Sequence, residues 1–176
     1  MGITTKWVLD PTHSELMFKV RHMMITNVKG EFKNFSVDVD GEDIAKAKFN
    51  VTIDAASINT NNDQRDEHLR SADFFDAENF KNLTFTTTSS RSKGDDEFEL
   101  TGDLTIKGVT KEVKLDVEFG GTNKDPWGNE KAGFSIEAKI NRKDWGLNWN
   151  AALETGGVLV SDEVKISGEM QFVKQS

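Results

Sequence analysis

A two-residue alternation of apolar and polar side chains constrains the fold of this chain more than any other feature. Such alternation is typical of strands that have one buried face and one solvated face. It is clear at 98–106, where Phe98, Leu100, Leu104 and Ile106 alternate with polar residues. Further alternating segments lie at 16–22, 35–39, 47–53, 83–87, 113–119, 134–140 and 164–172. The pattern predicts about eight strands.

Turn-forming residues separate these segments. Lys107-Gly108 lies between two strongly alternating segments and predicts a tight hairpin, because glycine tolerates the positive φ that short turns between strands require. Pro11 and Pro126 both lie outside the alternating segments, so neither interrupts a ladder of hydrogen bonds.

Two segments depart from the alternation. The segment 62–71 is rich in helix formers and predicts a short helix with Asn62 as its N-cap. The segment 142–150 carries Trp145, Leu147 and Trp149 two residues apart. Because glycine and asparagine disfavour a helix there, we interpret 142–150 as a strand.

The number of strands predicts an all-β fold in one domain that spans residues 1–176. A sheet of about eight antiparallel strands would expose two edges, and closing it into a barrel removes both edges. We therefore expect a single antiparallel eight-stranded barrel with a short helix in one connection. A sandwich of two sheets is the competing architecture. The interior of an eight-stranded barrel is filled by side chains or holds one small ligand.

Composition excludes several function classes. The chain has 22 basic and 30 acidic residues and a net charge of −8, which argues against nucleic acid and against an anionic membrane surface as partners. The sequence contains no cysteine, which excludes disulfides and thiol nucleophiles. No apolar stretch approaches the length of a membrane span, so the protein is not expected to be embedded in a membrane. Self-association into a homodimer is left open.

The start of the sequence has no apolar run of signal-peptide length. We therefore expect a cytoplasmic protein. If a signal peptide has been removed, the expected location is the periplasm or the exterior.

Catalytic and metal-binding patterns are weak. His13 and Ser14 are adjacent, and adjacent residues on a strand point to opposite faces, so they do not form a nucleophile–base pair. The three histidines, His13, His22 and His68, lack close metal-ligand spacing. We predict no catalytic residue, no metal and no cofactor. A histidine-dependent hydrolase or metalloenzyme would require these three side chains to converge.

The apolar faces of the strands are instead predicted to line an interior site for a long apolar molecule. His13, His22, Arg65 and His68 are candidates for the polar end of that site. The tryptophans of the 142–150 segment, Trp145 and Trp149, are equally consistent with an aromatic wall and with core packing. The candidate lining residues are Phe18, Val20, Phe35, Val37, Phe49, Val51, Phe85, Leu104, Ile106, Val117, Phe134, Ile136, Leu147 and Trp149. A one-residue slip of register would turn a strand inside out.

Several segments, taken in order, resemble the YceI-like family of lipocalin-like barrels associated with polyisoprenoid binding. They include Trp-Val-Leu-Asp-Pro-Thr-His-Ser at 7–14, Phe-Lys-Val-Arg-His at 18–22, Val-Lys-Gly-Glu-Phe at 28–32, Arg-Asp-Glu-His-Leu at 65–69 and Arg-Lys-Asp-Trp-Gly at 142–146. The resemblance also covers 57–60, 73–76, 83–85 and 102–111. It implies an extended antiparallel barrel with a long hydrophobic lumen that holds a prenyl chain or another long-chain lipid non-covalently.

The resemblance and the absence of a catalytic pattern predict a lipid-binding protein that stores or transports its ligand, and not an enzyme. Members of the family often carry a signal peptide, and this chain departs from that pattern. The first alternative is an interaction or stress-response domain with a filled interior. The second is the histidine-dependent enzyme. The residues do not specify which long-chain lipid or isoprenoid is bound.

Overall fold

The computed structural model of the protein describes residues 6–22, 26–41, 47–147 and 160–175. Strands dominate it, and one α-helix, α1 (Asp63–Arg70), lies in the connection between two of them. The strands are β1 (Lys6–Leu9), β2 (Glu15–His22), β3 (Thr26–Phe32), β4 (Phe35–Asp40), β5 (Lys48–Asp54), β6 (Ile58–Asn59), β7 (Asn82–Ser92), β8 (Glu97–Ile106), β9 (Val109–Lys124), β10 (Glu130–Asn141) and β11 (Val160–Gln175).

Within the described part of the chain, eight strands form a closed ring in the order β1-β4-β5-β7-β8-β9-β10-β11, and β11 pairs with β1 to complete it. All of these pairings are antiparallel. The ring confirms the predicted barrel and excludes the two-sheet sandwich. Closure removes the two edges that an open sheet of these strands would have, and its narrowest seam is the single pair Val8–Asp38 between β1 and β4.

The long strand β11 has a different partner at each end of the barrel. Its last residues pair with β1, where Trp7 lies opposite Lys174, and its earlier residues pair with β2, where Phe18 lies opposite Ile166. A 3-10 turn at Pro11–His13 separates β1 from β2. Beyond β2 the sheet continues through β3 to the short strand β6.

Both local predictions from turn and cap chemistry are confirmed. Lys107 and Gly108 have φ angles of 51° and 78° and connect β8 to β9 in a two-residue turn. The side chain of Asn62 accepts a hydrogen bond from the backbone N–H of Arg65 at 3.0 Å, so it caps α1. The cap satisfies one of the backbone donors that the first turn of a helix leaves without a partner.

The interpretation of 142–150 as a strand is wrong for its first residues. Arg142–Trp145 forms a 3-10 turn, because the Asn141 side chain accepts a hydrogen bond from the N–H of Lys143 and Gly146 takes a left-handed φ of 78°. The indole N–H of Trp145 donates to the Leu104 carbonyl at 2.9 Å. Trp149 lies outside the described residues.

Aromatic rings fill one end of the barrel. The ring of Phe134 lies 4.9 to 6.2 Å, centroid to centroid, from those of Phe49, Phe98, Phe119 and Phe172. These distances are typical of favourable edge-to-face and stacked contacts. We call this set of five rings the aromatic plug.

Candidate functional site

A cavity of about 440 Å³ lies between α1 and the inner faces of several strands. Its volume falls within the range of ligand-binding pockets in proteins. Its apolar lining residues are Phe18, Val20, Val28, Phe32, Leu69, Phe74, Phe75, Leu83, Ile106, Ile140, Leu147, Val164 and Ile166, and its polar ones are Thr60, Asn62, Gln64, Arg65, His68 and Arg142.

Cross-strand register brings the apolar wall of the cavity together. Val20 on β2 lies opposite Val28 on β3 and opposite Val164 on β11. Phe18 lies opposite Gly30 and Ile166. Residues directly opposite each other in a sheet project to the same face, so these side chains all reach the interior.

The ring of Phe18 occupies the space directly above Gly30. An added Cβ at Gly30 would collide with the Cζ, Cε1 and Cε2 atoms of that ring. The missing side chain at Gly30 therefore lets the Phe18 ring lie flat against β3. This position keeps the Phe18 ring clear of the space inside the cavity.

Polar groups cluster where α1 meets the cavity. Arg65 donates from Nε to the Thr60 hydroxyl at 2.8 Å and from Nη2 to the Thr60 carbonyl at 2.9 Å. Asp66 is only 3% exposed, and its Oδ1 accepts hydrogen bonds from the backbone N–H and the hydroxyl of Thr60. These bonds fasten the helix to the loop before it and hold Arg65 at the cavity.

His68 lies one helical turn further along the same face of α1. Its Nε2 is 2.9 Å from the Asp73 carboxylate, and its ring packs edge-on against Phe74 with centroids 5.1 Å apart. These contacts fix the orientation of the imidazole at the wall of the cavity.

A buried cation completes the polar part of the lining. Arg142 is 3% exposed and donates from Nε to the Ser161 carbonyl at 2.9 Å and from Nη1 to the Leu147 carbonyl at 2.6 Å. Burial lowers the pKa of its guanidinium, and the nearby carboxylate of Asp162 opposes that change. The bond to Leu147 holds the segment after the 3-10 turn against the cavity.

The sequence-predicted site residues fall into three groups. Phe18, Val20, Ile106, Leu147, Arg65 and His68 line the cavity. Val37, Phe49, Phe85, Leu104, Val117 and Phe134 are buried in the packed core, and Phe35, Val51 and Ile136 are half-buried against it. Trp149 and the side chain of His22 lie outside the part that the structure describes. A ligand-binding role for each of these residues remains a prediction.

The structure does not bring the predicted polar residues to one end. His13 precedes β2 and His22 ends it, so β2 separates the two histidines along the barrel. The imidazole of His13 is 60% exposed and lies 2.8 Å from the carboxylate of Asp10. His13 is absent from the residues that line the cavity, whereas Arg65 and His68 are among them.

Nine apolar residues that line the cavity were not among the sequence-predicted candidates: Val28, Phe32, Leu69, Phe74, Phe75, Leu83, Ile140, Val164 and Ile166. Ile140, Val164 and Ile166 occupy inward positions of alternating segments, so extending the same parity to the ends of those segments would have found them. Val28, Leu69 and Phe75 depend on the path of β3 and α1 over the barrel. No local pattern reports that path.

Across the described residues, no group of three or more His, Asp or Glu side chains is placed to hold a metal ion. His13 lies 2.8 Å from the carboxylate of Asp10, whereas His68 lies 2.9 Å from that of Asp73. None of the helices that the structure describes is long and apolar enough to span a membrane.

The fold and the cavity together define a class of protein: an antiparallel β-barrel with an apolar interior cavity beside a short helix. The model of the YceI-like domain matches residues 7–172, and the chain belongs to the YceI-like family. The resemblance noted in the sequence is thereby confirmed.

Relatives and solved structures agree with this assignment. A UPF0312 protein of Staphylococcus epidermidis is 44% identical over 171 residues, which cover 96% of this chain and 97% of the relative. A Campylobacter jejuni YceI protein is 37% identical with a TM-score of 0.77, and the match covers 90% of this chain and 91% of that one. A polyisoprenoid-binding domain from Saccharophagus degradans has a TM-score of 0.72 over 97% of this chain and 99% of its own, and at 18% identity it shares the fold.

Proposed function

We propose that this protein binds one long-chain apolar molecule non-covalently in the cavity beside α1 and stores or transports it. The observation that carries the proposal is the cavity of about 440 Å³ with its predominantly apolar wall. A barrel that serves only as an interaction domain would have a filled interior. Here the interior is filled at the aromatic plug and open beside α1.

The hydrophobic effect supplies enough affinity for such a ligand. Moving one methylene group out of water gains about 0.8 kcal/mol. A chain of about ten buried carbon atoms would therefore gain about 8 kcal/mol before the cost of immobilising it. No reactive group is needed, which fits a binding role and not catalysis.

Two observations support a ligand class: the shape of the cavity and the likeness to a solved structure. We expect an isoprenoid or another long-chain lipid, since a domain of the same fold from Saccharophagus degradans is described as polyisoprenoid-binding. The apolar chain would lie against Val20, Val164 and Ile166. A polar end of the ligand would face Arg65 and His68, the polar groups at the cavity wall.

Two adjacent residues on β11 test the proposal. Ile166 lines the cavity, and Ser167 is exposed on the outer face of the same strand. We expect Ile166→Trp to fill the cavity and reduce binding of cis-parinaric acid, a fluorescent long-chain molecule, at least tenfold. Ser167→Trp is the matched control and should bind as the unmodified protein does. Farnesol and palmitate, as competitors, distinguish isoprenoid from straight-chain ligands.

Mass analysis of lipids extracted from the purified protein identifies a resident ligand. The proposal fails if cis-parinaric acid, farnesol and palmitate all show no binding to the unmodified protein. It also fails if Ile166→Trp and Ser167→Trp bind equally well.

A further inference from the structure

A row of lysines crosses the outer face of the barrel. Lys29 on β3 lies opposite Lys19 on β2, Lys19 lies opposite Lys165 on β11, and Lys165 lies opposite Lys139 on β10. Neighbouring strands are about 4.8 Å apart, so four ammonium groups project from a strip about 15 Å long. We call these four residues the lysine row. Lys114 on β9 lines the same surface groove.

Within the monomer, the lysine row is electrostatically unfavourable. Like charges directly opposite each other in a sheet destabilise it. Among the ion pairs of the described residues, none involves Lys19, Lys29, Lys139 or Lys165. Lys29, Lys139 and Lys165 are exposed, and Lys19 is half-buried. The four cations therefore repel one another while remaining available to an external anion.

The lysine row is the outer side of the cavity wall. Lys19 lies between Phe18 and Val20, and Lys165 lies between Val164 and Ile166. Successive residues of a strand point to opposite faces, so the lysines face outward where their neighbours face the cavity. Lys29 follows Val28 and Lys139 precedes Ile140 in the same way, and both apolar neighbours line the cavity.

A second row on the same outer face has the opposite charge. Glu15 on β2 lies opposite Glu169 on β11, Glu169 lies opposite Ser135 on β10, and Ser135 lies opposite Glu118 on β9. Glu118 in turn lies opposite Glu97 on β8. We call these four glutamates the carboxylate row. It crosses the outer face over the aromatic plug, since the plug residues Phe98, Phe119 and Phe134 directly adjoin Glu97, Glu118 and Ser135.

The lysine row and the carboxylate row are far enough apart that their charges largely do not neutralise each other. Glu15 and Lys19 are four residues apart on β2, which is about 13 Å along a strand. Charges at the surface are largely screened beyond about 8 Å at physiological ionic strength. Of the two rows beside the lysines, one carries Arg21 and Glu163, which have opposite charges, and the other, nearer the carboxylate row, carries the two acids Glu31 and Glu137. In the groove itself five lysines outnumber two acids, Asp116 and Glu137, so the net charge of −8 does not describe the local field there.

We propose that the lysine row docks the barrel onto the anionic surface of a phospholipid bilayer, with the carboxylate row turned away from it. The anionic headgroups match the unpaired ammonium groups, and the bilayer is the phase in which a long-chain apolar ligand dissolves; this second argument rests on the function proposed above. The opposed rows orient the cavity half of the barrel toward the membrane. For this one face, the docking proposal departs from the expectation that was based on the net charge of −8.

Sedimentation with lipid vesicles tests the docking surface. Vesicles of phosphatidylcholine mixed with equal parts of phosphatidylglycerol should carry the protein into the pellet at low salt, and vesicles of pure phosphatidylcholine should not. High salt should release it. Each lysine held near an anionic surface contributes about fivefold in affinity, so Lys19→Gln with Lys165→Gln should weaken binding about thirtyfold.

The matched control removes the same charge elsewhere. Lys48 on β5 and Lys124 at the end of β9 are exposed. The Lys48→Gln, Lys124→Gln variant should bind anionic vesicles within about twofold of the unmodified protein, since neither residue belongs to the row. Glu15→Gln with Glu169→Gln should strengthen vesicle binding.

Three results would overturn the proposal. The first is no binding to anionic vesicles at low salt. The second is an equal loss in the two double-lysine variants, which would reduce the effect to net charge. The third is a change of oligomeric state or of capture by an acidic protein in Lys19→Gln, Lys165→Gln, without a change in vesicle binding. That result would assign the row to a protein partner.

Cis-parinaric acid separates this proposal from the function of the cavity. In the absence of vesicles, Lys19→Gln, Lys165→Gln should bind the probe as the unmodified protein does, because both substitutions face outward. If the probe binds and vesicles do not, the docking proposal fails alone. If vesicles bind and the probe does not, the proposed ligand-binding function fails alone.

Discussion

The two halves of the barrel have the same walls and different contents. Strands β10 and β11 contribute Phe134 and Phe172 to the aromatic plug, and the same strands contribute Ile140 and Val164 to the cavity. The plug residue Phe172 is only 2% exposed, whereas Val164 is half-buried although it faces inward. The comparison shows that strand pairing closes the barrel and that side-chain volume decides whether its interior is full.

The largest expected effect is a difference in the cost of removing a ring from each half. We expect Phe134→Ala to lower the free energy of unfolding by about 3–5 kcal/mol, because it empties the centre of five packed rings. Phe18→Ala should cost less, since its ring already borders empty space and loses fewer contacts. Urea unfolding followed by tryptophan fluorescence measures both. Equal losses at the two positions would contradict the division into a packed half and an open half.

Adding a methyl group distinguishes the halves in a second way. Gly30→Ala collides with the Phe18 ring, which can swing into the cavity. We therefore expect the free energy of unfolding to fall by about 1 kcal/mol and cis-parinaric acid to bind more weakly. An added Cβ at Gly102 meets the buried ring of Phe85 and the Thr86 carbonyl at 2.5 Å. Gly102→Ala should therefore lower the free energy of unfolding by about 3 kcal/mol.

Gly133→Ala serves as the control for both glycine substitutions. An added Cβ at Gly133 meets no atom within 4 Å, so neither stability nor probe binding should fall. Calorimetry measures the stability of the three variants. If Gly30→Ala costs as much as Gly102→Ala and leaves probe binding intact, Phe18 does not move into the cavity.

Low pH should destabilise the turn that joins β1 to β2. Hydrogen bonds from Thr12 and His13 lower the pKa of Asp10 from 3.8 to about 2. A lowered pKa in the folded state means that the carboxylate stabilises the protein above pH 3.8 and that this contribution disappears as the pH falls toward 2. We expect this carboxylate to contribute about 1 kcal/mol to the free energy of unfolding, since the turn is at the surface.

Asp10→Asn tests the acid dependence directly. The variant should be less stable than the unmodified protein at neutral pH, and the difference should shrink as the pH falls through the range from about 4 to 2. Acid unfolding curves at several urea concentrations measure it. A difference that is constant over that range would show that the charge of Asp10 contributes nothing.

The sequence reports the barrel well because its signals are local. Alternation identifies strands, Lys107-Gly108 identifies a turn, and Asn62 identifies the start of α1, each within a few residues. The segment after Asn141 was misinterpreted because its two-residue aromatic spacing resembles a strand. The Asn141 cap and the left-handed Gly146 decide that conformation instead.

The candidate site was only partly predictable, because its shape depends on residues that are distant in sequence. Parity alone gives Phe134 and Phe18 the same inward position, yet one packs in the plug and the other borders the cavity. Which of them borders empty space depends on the volumes of opposing side chains on several strands. The separation of His13 from His22 was, in contrast, predictable from the sequence, since the strand Glu15–His22 between them spans about 25 Å.

The smallest expected effect concerns the outer face of the cavity half. Lys19 and Lys165 lie opposite each other and belong to no ion pair of the described residues. Lys19→Gln with Lys165→Gln removes like-charge repulsion and should therefore raise the free energy of unfolding by about 0.3 to 0.5 kcal/mol. The gain should disappear at high salt, where the repulsion is already screened. Glu15→Gln with Glu169→Gln should gain less on the packed half, because the Ser135 hydroxyl donates to the Glu169 carboxylate. A loss of stability in the lysine variant would mean that the aliphatic stems of these lysines pack against the barrel more strongly than their charges repel. The row would then be explained by packing within the monomer, without any external anion.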